Sequence, residues 1–375
     1  MRTAKNNPYG IISGMREKRE KISSPAAFIG TDGNGIISFG SGQPDLMPPK
    51  EIFSNLGNER LFKYGLIKGD FGLREALAKE YPNAEAEEFV ITNGASEALD
   101  LIFRGIHQMH GRVKVLLCRP YYYSYPPIVE YAGLVPVYTQ LKEGRIDLED
   151  FKKKVRGVKA VLINSPSNPT GRVEDLDTLR EIEKLTAKFG VYVISDEVYK
   201  DLIYERENYL IKGRHVITVN SFSKTYSMCG LRVGYLWARD PKIVQAAVDL
   251  KVHTSMNTNI LGQEMALRAM SVPHSFIGRQ TAVWKERRDF IYEGLCELGF
   301  NLWKPEGAFY VLPKIRNSAQ VVEELFYEHA VVVYDGSWFG APGRIRLSYA
   351  LDVGEIRAGL GRIKKYLKGK EGWLK

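Results

Sequence analysis

Cysteine is scarce, with three in 375 residues: Cys118, Cys229 and Cys296. Thiols this far apart and odd in number argue against a disulfide framework and a cysteine-built metal site. They suit a reducing compartment, so the cytoplasm is the expected location. Histidine is nearly as rare. Its six residues show no metal-ligand spacing; His107 and His110 lie in a helix-like tail and are expected to face solvent, and no catalytic metal is expected. Long apolar runs are missing as well. No stretch approaches the ~18 residues of a membrane span, and the polar start Met1–Gly10 has no apolar region for a secretory signal. We find neither an internal repeat nor a low-complexity segment. Acidic residues fall short of basic ones, 44 against 53, for a net charge of +9. The basic runs Arg16–Lys21, Lys152–Lys159 and Arg362–Lys375 are interrupted by acids or sit in a helix-like polar stretch. No zinc-finger, RNP-type or helix-turn-helix signature accompanies them. They read as solvated faces, and no nucleic acid or membrane partner is expected.

What is present is an ordinary globular composition, 44% hydrophobic and 26% charged, over a length suited to two domains. A polar, basic start closes in the turn signal Gly30–Gly35. From about residue 85 to about residue 240, short apolar runs alternate with helix-period segments, the signature of βα units and a mostly parallel sheet. Strands are expected at Phe89–Thr92, Val113–Cys118, Val158–Asn164, Val191–Ser195, Val216–Asn220 and Val233–Ala238. One helix carries Val173, Leu176, Leu179, Ile182 and Leu185 on a face and stops at Gly190. Another carries Val353, Ile356, Leu360, Ile363 and Leu367, with Asp352 and Glu355 as a capping-box variant at its start. Asp240–Pro241 opens a third.

Five of those strands are followed at once by polar or aromatic clusters. They are Asn93–Ser96, Arg119–Tyr125, Asn164–Gly171, Asp196 with Glu197 and Tyr199, and Ser221 with Ser223 and Lys224. Ligands of open α/β sheets bind outside the carboxyl ends of strands, so parallel strands would gather all five at one edge. Each piece has a plain reading and a chemical one. Gly94, Ala95 and Ser96 open a helix whose free N–H groups either form a simple cap or hold a phosphate. Arg232, Ser221 and Ser223 could add charge and hydroxyls. The tyrosine run either packs a core or lays one ring on a planar ligand. Asp196 either caps a helix or faces a protonated heteroaromatic nitrogen. Lys224, flanked by serines and without a nearby acid in sequence, can form an imine when its proton affinity is lowered. Taken together, phosphate grip, stacking ring, carboxylate and imine-forming lysine describe a pocket for pyridoxal 5′-phosphate.

The segments Ser221–Tyr235, Asn164–Gly171, Asp196–Tyr199 and Arg344–Ala350, in this order and spacing, resemble the fold-type I aminotransferases of class I/II, the family of aspartate and aromatic aminotransferases. The resemblance runs from about Ile37 to the C-terminal helix. It implies an α/β fold with a mostly parallel seven-stranded sheet and a second, smaller α+β domain. A large cofactor domain is expected at residues 38–260, and a small domain at 1–37 plus 261–375. It implies that Lys224 carries the cofactor and moves the proton between substrate and cofactor. Asp196 would pair with the ring nitrogen, Asn168 and Tyr199 with the ring's 3-oxygen, and Tyr122 would stack on the ring. Gly94, Ala95, Ser96, Ser221, Ser223 and Arg232 would form the phosphate cradle, with Tyr64 reaching the phosphate of a neighbouring subunit. Arg346 would grip the substrate α-carboxylate, and the loop Ser41–Asp45 would close over it at Gly42, with Tyr122 and Asn168 also beside the substrate.

The implied activity is ping-pong transamination between an L-amino acid and a 2-oxo acid such as 2-oxoglutarate, in a homodimer whose boundary is crossed by Tyr64 and His253–Asn259. Relatives that prefer acidic donors often carry lysine where this chain has Ser96. Tyr121–Tyr125, Phe309 and Tyr310 leave an aromatic or broad-range donor open beside aspartate. A β-lyase or decarboxylase on the same fold is the alternative activity. A regulator that senses the cofactor beside a DNA-binding module is disfavoured, because the stretch before Ile37 is too short for a winged helix and linker.

Overall fold

The structure is a computed structural model and describes residues 21–28, 35–54 and 63–374. Its centre is a seven-stranded sheet of β1 (Phe89–Thr92), β2 (Lys114–Leu117), β3 (Val135–Tyr138), β4 (Ala160–Asn164), β5 (Tyr192–Asp196), β6 (Val216–Ser221) and β7 (Gly234–Ala238). The spatial order is β1-β7-β6-β5-β4-β2-β3. Only β7 runs against its neighbours; the other adjacent pairs are parallel. β1 to β6 therefore all point the same way, and the five clusters that follow strands meet at one edge. Strands covered by helices on both faces lose the buried–exposed alternation; every residue of β1, at one edge, and of the interior β6 is buried.

On one face Leu99, Ile102 and Ile106 of α1 (Gly94–His110) pack on Val90, Val219 and Leu236. On the other, Leu179 and Ile182 of α2 (Leu176–Phe189) pack on Val161 and Val193. Helix α2 begins after Asp175 and ends at Gly190 with φ +63°. Val173, expected on its face, lies before it and is fully buried, while Leu176 is exposed. α3 (Pro241–Thr254) starts from the Asp240 cap, whose carboxylate accepts from Lys242 N. His110 is exposed, but His107 is half-buried and crowds Gly133, so the expectation of solvent exposure fails there. β3 carries no strand signal in the sequence because Pro136 interrupts it; proline is tolerated there since β3 is an edge.

A second, three-stranded antiparallel sheet joins β8 (Tyr310–Val311), β9 (Tyr334–Asp335) and β10 (Ile345–Ser348), with β10 in the middle. α4 (His274–Glu297), α5 (Ser318–His329) and α6 (Val353–Leu367) surround it. Trp284, Ile291, Val321, Leu325, Ile356 and Ile363 share a core with Ile345 and Leu347. Ile37–Ser38 pairs in parallel with Val331–Val332, tying the N-terminal part into this region. The same core reaches Val198, Tyr199 and Leu202 just after β5, which is where the second sheet meets the first. The turn at Gly30–Gly35 and the run Arg16–Lys21 lie outside the described residues except for Gly35 and Lys21. Among the described residues no helix is long and apolar enough to cross a membrane.

Candidate active site

A cavity of about 370 Å³ opens at the carboxyl edge of the large sheet. All five clusters reach it or support it. Ser221 ends β6 and caps a single helical turn, Phe222–Thr225, through its Oγ and Ser223 N. That turn lifts Lys224 into the cavity, where Nζ donates to Gly42 O at 2.8 Å and lies 3.9 Å from Cys229 Sγ. Asp196 ends β5, almost fully buried. It accepts from Tyr125 Oη at 2.6 Å and from Val198 N at 3.3 Å. Burial pushes its carboxyl up to about 6, against the pull of those two donors and of Lys224. Asn164, opposite Asp196 in register, bonds Asp196 O through its amide nitrogen and Asn168 N through its oxygen. The loop carrying Asn168 is thereby fixed to the strand carrying Asp196.

The proposed phosphate cradle is shaped by what it leaves out. Gly94 has φ +74°, and a methyl group there would sit 2.5 Å from Arg232 Nη2. A methyl on Gly234 would meet Gly94 C at 2.6 Å and Ala95 N at 2.7 Å. The start of α1 thus lies directly on β7, with Arg232 bent over it in a left-handed conformation, φ +54°. Ser221 Oγ and Ser223 Oγ are 2.8 Å apart beside it. Hydroxyls, helix-start N–H groups and a guanidinium around a space cleared of side chains are a donor set for a phosphate dianion. Asp196 and the ring of Tyr122 share that cavity with Lys224. The residues present therefore fit pyridoxal 5′-phosphate.

The opposite wall comes from the small sheet. Arg346, on β10, is 2% exposed. Nη1 donates to Asn168 Oδ1 at 3.1 Å, Nη2 donates to Gly40 O, and Nε is buried without a partner. Tyr310 and Tyr334 hold the guanidinium at 4.6 Å from each ring centre. A buried guanidinium on a cavity wall, with N–H groups beyond the two engaged here, is built for a carboxylate. Tyr199 is buried, its hydroxyl 2.8 Å from that of Tyr310; burial, then Tyr310, pushes its phenol well above the usual range.

Ala95, Ser96, Tyr122, Asn168, Asp196, Tyr199, Ser221, Ser223, Lys224, Arg232, Gly42 and Arg346 all line this one cavity. Gly94 lies just beneath. Tyr64 does not enter it; its side chain is 85% exposed. The sequence did not reveal Tyr125 as the partner of Asp196, although it sits in the tyrosine run. Nor did it single out Tyr334 or the carbonyl of Gly40, which carry no local signal at all.

The family model described as aminotransferase class I and II matches residues 34–363. A probable aspartate/prephenate aminotransferase of Aquifex aeolicus is 35% identical, over 92% of this chain and 95% of that protein. Among solved structures, aspartate aminotransferase of Thermotoga maritima superposes with a TM-score of 0.83 at 32% identity, covering 92% of this chain and 95% of that one. Aromatic aminotransferase of Pyrococcus horikoshii superposes with a TM-score of 0.85 at 30% identity, covering 93% and 100%.

Proposed function

The chain belongs to the class I and II aminotransferases and is a pyridoxal 5′-phosphate-dependent transaminase of amino and 2-oxo acids; from that premise we propose that it accepts aromatic or broad-range L-amino acids, with Arg346 reading their α-carboxylate. The observation that carries this reading is the buried, partly unpartnered guanidinium of Arg346 facing Lys224 across one cavity. When bound, the cofactor supplies an electron sink for the bond broken at the substrate's Cα.

The chain's own groups do the rest. Ala95, Ser96, Ser221, Ser223 and Arg232 would hold the phosphate, and Asp196 would face the ring nitrogen as an anion kept in place by Tyr125. Lys224 would be the point of attachment and the amine that holds the Cα proton. Arg346 and Asn168 would orient the substrate so that its Cα–H lies within reach of Lys224 Nζ. The loop carrying Gly40 and Gly42 lines the same cavity and would cover that position and shield it from water. Residues 38–260 would act as the cofactor domain, with 1–37 and 261–375 as the lobe that brings Arg346.

Among the described residues, the cations lining the cavity around the substrate position are Lys224, Arg232 and Arg346, and the aromatic residues are Tyr122, Tyr123, Tyr125, Tyr199, Tyr310 and Tyr334. With the first two cations committed to cofactor and phosphate, this favours an aromatic side chain over a second carboxylate. Likeness to aspartate and aspartate/prephenate aminotransferases makes aspartate the second reading. A second copy of the chain would cover the exposed Tyr64, Leu66, Phe71, Met256 and Leu261, which lie on neighbouring segments, since Gly65 abuts Ile260. That homodimer would deliver Tyr64 to the neighbouring site. The three separate free thiols suit the cytoplasm.

The test is a half-reaction screen: the cofactor-loaded protein is mixed with each amino acid, and the loss of its visible absorbance is ranked. Aromatic donors are expected at the top, each yielding its 2-oxo acid without ammonia or CO₂. A screen in which aspartate and glutamate alone react would overturn the donor assignment.

A further inference from the structure

The segment from Pro305 to Tyr310 is held more firmly than a chain connection requires. Glu306 accepts from Arg145, Arg172 and Arg206 and from Val173 N. Gly171 O accepts from both Glu306 N and Gly307 N. Ala308 stands in the left-handed region, φ +53°, an uncommon conformation for a residue with a side chain. It is kept there by its N–H bond to Leu202 O and by the hydroxyls of Tyr204 and Tyr349, both donated to its carbonyl. Backbone strain that is over-determined in this way collects at functional positions. What the segment delivers is Phe309 to within 6.0 Å of Lys224 Nζ, and Tyr310 into the cavity wall.

Tyr310 is 1% exposed and touches three working parts at once. Its hydroxyl pairs with that of Tyr199 at 2.8 Å. Its ring lies 4.6 Å from the Arg346 guanidinium. Its Oη also occupies the space where a methyl group on Gly42 would fall, so it abuts the loop whose carbonyl receives Lys224 Nζ. We propose that Tyr310 is a positioning residue joining the two halves of the site: its hydroxyl holds Tyr199 against the cofactor ring, and its ring holds Arg346 for the substrate carboxylate. This rests on the reading that Tyr199 donates to the ring's 3-oxygen. Tyr199 then has its own oxygen free to accept, and Tyr310 is the donor that fills it. A donor already engaged in this way is strengthened, because chained hydrogen bonds polarise one another.

Among the described residues, the charged groups lining the cavity around this pair are Asp196, Lys224, Arg232 and Arg346; Tyr122, Tyr123, Tyr125 and Tyr334 are the other phenols there. Tyr310→Phe leaves the charged groups and the ring in place and removes only the hydroxyl. In the cofactor-loaded protein it is expected to raise the pH midpoint of the visible absorbance change by roughly half a unit, since the 3-oxygen loses part of its hydrogen bonding. Affinity for 3-phenylpropanoate, a carboxylate without an amine, should stay within about twofold, because the ring still covers Arg346. Tyr310→Leu should show the same midpoint change and, in addition, bind that probe about three- to tenfold more weakly. Tyr199→Phe serves as the reference. If Tyr199→Phe moves the midpoint and Tyr310→Phe does not, the proposal fails while the assignment of Tyr199 stands. If neither moves it, both fail. Unchanged affinity for the probe in Tyr310→Leu also overturns the proposal, and should that variant not fold, the Phe variant still decides it.

Discussion

The two walls of the cavity are made in different ways. The wall below Lys224 lies within the large sheet and its helices: Ser221 with Ser223, Asn164 with Asn168 and Asp196 with Val198 shape its strand ends locally, and Tyr125 with Asp196 and Arg232 with Asn93 join neighbouring ends. The wall above is assembled from pairs far apart in the chain: Arg346 with Gly40, Lys224 with Gly42, and Tyr199 with Tyr310. The large sheet and the helices packed on it settle the first. The second exists only when the small sheet is docked against the large one. The lower wall should therefore survive damage to the upper, and the reverse should not hold.

Arg346→Ala puts the largest strain on that distinction. Truncating one member of a buried charge pair costs about 2–5 kcal/mol, so kcat/KM for the best donor should fall by a factor between about 30 and about 4,000. Affinity for pyridoxal 5′-phosphate, measured by fluorescence titration, should change less than about threefold, since none of the cradle's hydrogen bonds is lost. A collapse of cofactor affinity would mean that the two walls are one cooperative unit.

The lower wall also has a reverse side. Asp196 and Glu197 are consecutive, and strand alternation sends them to opposite faces. Asp196 enters the cavity. Glu197 turns away, accepting from Ser195, Thr218 and Tyr81. Burial pushes the Glu197 carboxyl from about 4.5 up to about 7, outweighing those donors. The neutral form is thus favoured in the folded protein, and its contribution to stability is complete below about 4.5 and lost as pH rises through about 7. Glu197→Gln keeps a neutral group at all pH values. Between about pH 5 and about pH 8, its unfolding free energy should gain about 2 kcal/mol on that of the unmodified protein, measured by urea denaturation. Asp196 and Glu174 titrate in both proteins and cancel in the difference. A constant difference across that range would mean that Glu197 is charged in the fold.

The lower wall was legible in the sequence because it follows from local pattern. Apolar runs broken by Asn93–Ser96, Asp196 or Ser221–Lys224 mark strand ends, and their common direction brings those ends together. The upper wall was not legible in that way. Arg344 and Arg346 stand two apart and read alike, yet Arg344 stacks on Trp303 at 3.7 Å outside the cavity while Arg346 points into it. Period-two reasoning puts both on one face, and only the packing of the surrounding helices separates their fates. Family resemblance pointed to Arg346 where residue pattern could not. Tyr310 and Tyr334 sit on two-residue strands, too short for any periodicity to show.

The smallest expected effect asks how far the upper wall depends on its own scaffold. Asp352 caps α6, accepting from Gly354 N at 2.7 Å and Glu355 N at 3.0 Å. Asp352→Ala should cost about 1 kcal/mol of stability, visible as a fall in Tm of about 2 °C. The helix begins only a few residues past β10, so fraying at its start could travel to Arg346. Three bonds stand in the way: Ser348 N to Phe39 O at 2.6 Å, Tyr349 N to Phe309 O at 2.9 Å, and Tyr349 Oη to Ala308 O at 3.2 Å. They fasten the end of β10 to the Phe39 and Ala308–Phe309 segments rather than to α6. The variant should therefore lose stability and keep its kcat/KM; a rise in KM for the donor at unchanged kcat would show that Arg346 takes its position from the helix after all.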